Sequence, residues 1–308
     1  NFCNKLWNAA RFIDLNISNF GIADNRSKTE IDAWIDYKFN ETLKKVNKSF
    51  DEYRFDLATK AIYEFIWYEF CDWFIEMHKI SLSEENINPS EVVRSMVHVL
   101  EKTLRLAHPI MPFITEEIWN QFKNHHQSSS KSLMLCDYPQ EAENCIEDDF
   151  KRIEWLKAIV SGIRNIRGEL SIKPSIKIAA TFKGGNSGDE LNLDKVSSYV
   201  KKLSSLKSIN WANNESQDPP SSIFTLGKLK VMIPLEGLID AKEESERLNK
   251  KINKLSKEKE MLSSKLSNKN FTENAPKELV ESQKDRFSTL EIELENLNRQ
   301  MTEIKKLI

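Results

Sequence analysis

The sequence predicts a mainly α-helical protein in three parts: a helix bundle, a small α+β unit and an antiparallel coiled-coil hairpin. Three observations predict it. The chain is rich in Lys, Glu, Leu and Ile, yet its 308 residues include only 8 Gly and 9 Pro, too few turn-formers for a large all-β protein. Apolar residues recur at helical spacing over most of the first 125 positions. From residue 241 onward, two runs carry the alternating four- and three-residue spacing of a heptad seam. The boundaries read as 1–136 for the bundle, 137–240 for an acidic linker with the α+β unit, and 241–308 for the hairpin.

Cys3, Leu6, Trp7, Ala10 and Ile13 fall on one face of a first helix. Ile31, Ile35, Phe39, Leu43, Val46 and Phe50 form a second stripe, with Ser27 or Thr29 as its cap. A broad aromatic stripe follows from Asp56, read as an N-cap, through Ile62, Phe65, Ile66, Phe70, Trp73, Phe74 and Met77. Val93, Met96, Val97, Leu100 and Leu104 make a fourth helix after Pro89, and Pro109 and Pro112 interrupt it before a last segment from Phe113 to Phe122. Antiparallel bundles are the common solution for such a set. Ile153 to Ile166 is helical, with Gly168 available to close it. Ile176, Ile178, Ala180 and Phe182 alternate as a strand. Val196, Val200 and Leu203 mark a short helix, and three more strand-like runs lie around 209–211, 223–225 and 229–233. In the hairpin one seam is Leu248, Ile252, Leu255, Lys259, Leu262 and Leu266. The other runs from Gln283 through Phe287, Leu290, Leu294, Leu297, Met301 and Ile304 to Ile308, and Asn268–Pro276 breaks the register between them.

The formal net charge of −2 hides local swings. Residues 137–150 hold six acids and no Lys or Arg, whereas 151–183 and 247–269 each hold eight basic and two acidic residues. Two basic stretches in a mildly acidic chain form the footprint of a polyanion-binding protein. No apolar run approaches the ~20 residues needed to cross a bilayer. The chain opens without a secretory signal, and its four Cys form no CxxC pair, so a cytoplasmic protein with reduced thiols is expected. The absence of an initiator Met points to a piece of something longer. The only Gly cluster, at 184–188, lacks the Lys and hydroxyl of a phosphate loop, and no GxSxG or HExxH occurs. No catalytic residue, cofactor site or metal site is expected in this chain.

Several stretches together resemble the C-terminal part of a bacterial-type valyl-tRNA synthetase, a class I aminoacyl-tRNA synthetase. They are Phe2-Cys3-Asn4-Lys5-Leu6-Trp7-Asn8-Ala9-Ala10-Arg11-Phe12, Tyr53-Arg54-Phe55-Asp56, Glu69-Phe70-Cys71-Asp72-Trp73, the segment from Leu106 to Trp119, Ile163-Arg164-Asn165-Ile166-Arg167, Pro234 to Asp240, and Lys265-Leu266-Ser267-Asn268 with Phe271 and Ala275-Pro276. The match covers nearly the whole length in order. It implies a helical anticodon-binding domain, a connecting α+β domain and a coiled-coil arm that supports the tRNA elbow. A parent enzyme of this family joins valine to its tRNA with ATP and magnesium. Its ATP-site signatures and editing domain have no counterpart in these residues, so the chain by itself is expected to bind valine-specific tRNA, as a monomer, without catalysis. A non-enzymatic coiled-coil scaffold and an isoleucyl- or leucyl-type synthetase fragment remain as alternatives. Against the isoleucine type stands the lack of a C-terminal Cys cluster.

Unpaired bases are read by stacking on aromatic or Arg planes and by hydrogen bonds to their edges. Asn4, Asn8 and Arg11 share one side of the first helix, with Phe12 beside them, and Arg54 precedes the third helix. These are the candidates for the anticodon side. Arg164 and Arg167, three apart on a helix, suit the phosphates of a stem. On the arm, Arg247, Lys250, Lys251, Lys254, Lys257 and Lys265 are the candidate backbone contacts, and Leu266 and Phe271 an apolar tip. Residues 276–308, with six basic and seven acidic residues, offer no comparable face.

Overall fold

The computed structural model describes residues 1–26, 28–122, 125, 130–141, 150–212, 219–235, 241–268 and 277–305. Helices dominate and one small sheet is present, so the mainly α expectation holds. The chain divides into two compact units, Asn1–Ala158 with Asp194–Leu203, and Ile159–Leu193 with Ser204–Ile308.

The first unit is the bundle. α1 (Phe2–Phe20) buries Leu6, Ala10 and Ile13 of the face its periodicity gave, with Ala9 added, and ends on Gly21 at φ 70°; Trp7 is half-buried and Cys3, at the start of the helix, is exposed. α2 (Glu30–Asp51) starts with a capping box. The Thr29 N–H donates to Asp32 Oδ2 at 3.0 Å and the Asp32 N–H donates to Thr29 Oγ1 at 3.2 Å, which satisfies two donors that the first turn leaves open. Thr29 is therefore the cap; Ser27 lies outside the described residues. α3 (Phe55–Glu64) begins one residue before Asp56, so Asp56 sits in the first turn and does not cap it. The helix then widens into a π-helical segment, Phe65–Phe74, in which the Ile75 N–H reaches back five residues to the Phe70 carbonyl, and resumes as α4 (Ile75–Ser81). This segment buries Phe65, Ile66, Phe70 and Phe74, all members of the stripe read from the sequence, and adds Cys71, while Trp73 of that stripe is half-buried. α5 (Pro89–Ala107) is capped by Asn88 and starts on proline; α6 (Pro112–Gln121) also starts on proline, after the break at 108–111, with Met111 at its N-cap and no side-chain cap.

Asp32 is 1% exposed inside this bundle. Burial pushes its carboxyl up, and His78 with Nε2 at 3.7 Å, Arg26 at 3.2 Å and the Ser95 hydroxyl more than offset that, so it is held well below the usual carboxylate range. The first half of α7 (Lys151–Glu169) joins the bundle through polar anchors. Trp34 Nε1 donates to Glu154 at 2.7 Å, Lys38 pairs with Glu154 at 2.9 Å and Lys157 with Glu69 at 2.6 Å. The end of α8 (Ser187–Leu203) adds Ser198 and Lys202, both bonded to Glu84.

In the second unit, α7 runs past Gly168, and the left-handed residue that ends it is Ser171 at φ 53°. β1 (Ile178–Gly184) and β2 (Leu206–Ala212) are parallel and joined through α8, which starts nine residues before the stripe that announced it. β3 (Ser221–Leu226) and β4 (Leu229–Pro234) form a hairpin closed by Gly227-Lys228, with Gly227 at φ 59°, the first central position of a type II′ turn. β4 pairs antiparallel with β1, giving the order β2-β1-β4-β3. α7 approaches β3 so closely at Gly162 that a Cβ there would lie 2.4 Å from the Phe224 ring.

α9 (Ala241–Ser267) and α10 (Lys277–Lys305) are the two arms of the hairpin. Ser245 meets Met301 at 3.5 Å, whereas Lys259 meets Glu291 at 2.9 Å and Glu258 meets Arg286 at 2.8 Å. Partners descend along α10 as they ascend along α9, so the pair is antiparallel. Leu248, Leu255, Leu290, Leu294, Leu297, Met301 and Ile304 are buried in the seam. Lys259, which stands in an otherwise apolar track, turns its ammonium to Glu291 and over the Phe287 ring at 5.3 Å.

Candidate nucleic-acid interface

On α1 the residues at 4, 8 and 11 project away from the buried stripe because they lie on the opposite side of the 3.6-residue helix. Asn4, Asn8 and Arg11 are exposed and Phe12 is half-buried. Lys79 Nζ stands 5.2 Å above the Phe12 ring. Asn8, Arg11, Phe12, Asp14, Leu15 and Ser18 line a shallow concavity of about 420 Å³. Amide, guanidinium and ring thus converge there, the groups that read a splayed base.

Arg54 is exposed and fixed. Its Nε and Nη2 donate to the two Asp56 oxygens at 2.9 and 2.8 Å, and that pairing brings the Asp56 carboxyl down to about 2. The fork orients the guanidinium plane at the turn between α2 and α3.

The structure separates the two arginines of α7. Arg164 is exposed. Arg167 is 8% exposed, and its Nη2 donates to the carbonyls of Lys173 at 2.7 Å and Ile176 at 3.0 Å. Its guanidinium ties the loop after α7 to the helix, so the two residues do not form one cationic face.

On the arm, Lys250, Lys251, Lys254, Lys257 and Lys265 are exposed on α9. Lys250, Lys254 and Lys257 follow i, i+4, i+7 spacing and form one stripe. Leu266 is half-buried at the end of α9; the Arg247 side chain and Phe271 lie outside the described residues.

Sequence reasoning missed a row of aromatic rings beside α1. Phe2 stacks on Tyr63 with centroids 5.0 Å apart, Tyr63 stacks on Trp67 at 5.6 Å, and Tyr68 stands edge-on to Tyr63. Lys5 lies 3.8 Å over Trp67 and pairs with Asp72 at 2.5 Å. The i, i+4 spacing of Tyr63 and Trp67 was the available signal. Among the described residues, no group of three or more His, Cys, Asp or Glu is placed to hold a metal. No helix among them is long and apolar enough to cross a membrane.

Residues 32–182 match the family model of the anticodon-binding domain of tRNA ligases. Residues 240–305 match that of the valyl-tRNA synthetase tRNA-binding arm. The chain is 32% identical over its whole length to the valine–tRNA ligase of Psychrobacter arcticus, covering 32% of that relative. It is 36% identical to that of Stenotrophomonas maltophilia, with 99% of this chain and 32% of the relative covered. For Legionella pneumophila the figures are 35% identity, 100% and 34%. Along its whole length the chain is similar to valine–tRNA ligases. It corresponds to the C-terminal part of valine–tRNA ligases and spans about a third of the length of the curated relatives it matches. The arm model falls on α9 and α10, the two arms of the hairpin.

Proposed function

We propose that this chain is the tRNA-binding part of an enzyme that joins valine to its tRNA with ATP. The α1 face of Asn4, Asn8, Arg11 and Phe12 meets the anticodon, and Arg54 adds a second plane for unpaired RNA. Arg164 meets stem phosphate. The α9 stripe, with Lys251, Lys265 and Leu266 on the same helix, meets the tRNA elbow, and the sequence adds Arg247 and Phe271 as candidates for the same contact. The observation that carries this reading is the order of the two matches, an anticodon-binding model over residues 32–182, which include Arg54 and Arg164, and a tRNA-arm model on the hairpin; the α1 face precedes the first match and is supported by its own geometry. ATP and magnesium serve the parent enzyme at residues outside this chain, and no catalytic role is assigned within it. The buried seam between α9 and α10 supports a monomer, because each arm satisfies the other.

Footprinting a valine-anticodon tRNA transcript with the purified chain tests this. Protection of the anticodon loop and the elbow together is the expected result. Binding without protection at either place, or a stable dimer by sedimentation at high and low concentration, favours a scaffold. ATP–pyrophosphate exchange with valine by the chain alone contradicts the assignment of catalysis elsewhere.

A further inference from the structure

Among the described residues, four helices end on a residue at positive φ; one is glycine, two are small serines and one is a bulky aromatic. α1 ends through Gly21 at φ 70°, α7 through Ser171 at φ 53° and α8 through Ser205 at φ 52°. α2 uses Tyr53 at φ 56°. The hydrogen bonds around Tyr53 are those of a Schellman motif. The Tyr53 N–H donates to the Phe50 carbonyl at 3.0 Å and the Arg54 N–H donates to the Ser49 carbonyl at 2.8 Å. In that motif the left-handed position is normally glycine, because a Cβ there crowds the following carbonyl. A bulky aromatic residue in this conformation is a conformational outlier.

The Tyr53 side chain offers nothing in return to the fold. It is 81% exposed, and its ring touches only Phe55 edge-on at 6.4 Å among the described ring pairs. Phe55 is itself 54% exposed, with Leu57 exposed beside it. Arg54 lies between them in sequence, and the plane of its guanidinium is set by the fork to Asp56. A strained aromatic ring, a second exposed ring and an oriented guanidinium plane therefore occupy three consecutive positions at the turn between two helices.

We propose that Tyr53, Arg54 and Phe55 form a stacking clamp for an unpaired base of RNA, with Tyr53 as its principal face. Flat rings and guanidinium planes are the surfaces on which splayed bases stack. The charge around the turn decides the kind of contact. Lys48, Arg54 and Lys60 are matched by Glu52, Asp56 and Glu64, each within 4.0 Å of its partner, so the site has no cationic excess to spend on phosphate. The clamp grips a base and leaves the backbone alone. The inference rests on the tRNA-binding reading above and adds a contact remote in sequence from α1.

Tyr53→Gly is the decisive variant, because fold and function pull in opposite directions. Glycine relieves the left-handed strain, so the melting temperature of the bundle rises by about 2–4 °C. Affinity for a valine-anticodon tRNA transcript falls by roughly 5- to 150-fold, the range for loss of one stacked base. The slope of affinity against salt stays that of the wild type, since no phosphate contact is lost. Tyr53→Trp retains tight binding at the wild-type melting temperature. A rise in melting temperature with unchanged affinity overturns the clamp, and so does a fall in melting temperature, which makes the ring structural. Arg11→Ala, measured in parallel, keeps the two readings apart. If Arg11→Ala weakens binding and Tyr53→Gly does not, the clamp fails and tRNA binding stands; if the wild-type chain binds no tRNA, both fall.

Discussion

Replacing Arg167 with Met removes the guanidinium and keeps most of the aliphatic stem. Two hydrogen bonds disappear, to the carbonyls of Lys173 and Ile176 at 2.7 and 3.0 Å. A hydrogen bond from a charged donor contributes about 1.5–3 kcal/mol. Residues 173–176 are exposed, so the released carbonyls regain water, and the lower end of that range applies to each. The expected cost is about 3 kcal/mol, or a fall of roughly 6–12 °C in the melting transition of the unit that holds the sheet, at ~2–4 °C per kcal/mol. Calorimetry on Arg167→Met and Arg164→Met, side by side, reads this directly. Arg164 is exposed, and its replacement should stay within about 0.5 kcal/mol of wild type while lowering the salt dependence of tRNA binding by about one contact. If Arg167→Met melts with the wild type and weakens tRNA binding instead, the guanidinium does not hold the loop and the division of labour is wrong.

On the arm, changing Lys250, Lys254 and Lys257 to Gln should lower the salt slope of tRNA binding by about one to three units, whereas Lys284 and Lys305 to Gln on α10 should leave it; equal effects remove the preferred face of α9. His98 is held down to about 4 from 6.5, first by burial and then by Arg26 and Lys102. The unfolded chain therefore takes up the proton first, and stability falls as pH drops from 6.5 toward 4. After allowance for the partial exposure of His98, about 1 kcal/mol is lost by pH 5. His98→Gln should flatten that part of the pH profile in denaturant titrations. Leu290 is fully buried in the seam, so Leu290→Ala should cost ~2–5 kcal/mol and melt the arm first, seen as an early loss of helical circular dichroism; an unchanged transition means the seam is not packed as described.

Periodicity made α1, α2 and α5 legible because each presents one apolar stripe to a core, and the heptad spacing made the hairpin legible for the same reason. The helix ends were harder. Asp56 and Gly168 carry good capping chemistry, yet the chain starts one helix at Phe55 and ends the other at Ser171, where local hydrogen bonding and tertiary packing overrule propensity. In the candidate interface, α1 was visible because its polar residues interrupt an apolar helix. The Tyr63–Trp67 pair was readable from its i, i+4 spacing, whereas the stacking of Phe2 on it was hidden because Phe2 comes from α1. Arg167 looked like a surface cation from its charge alone; only the loop that folds back over it shows what its guanidinium holds.

The most direct test is the ratio of affinities for a valine-anticodon tRNA and for the same tRNA with its anticodon substituted, measured for the wild-type chain and for Arg11→Ala. A base contact is worth about 1–3 kcal/mol of discrimination, so the wild type should prefer the valine anticodon by roughly 5- to 150-fold. Arg11→Ala should lose most of that preference while still binding the body of the tRNA through α9. Equal affinity of the wild-type chain for both tRNAs, or an equal loss for both on removing Arg11, would contradict the claim that this face of α1 reads the anticodon.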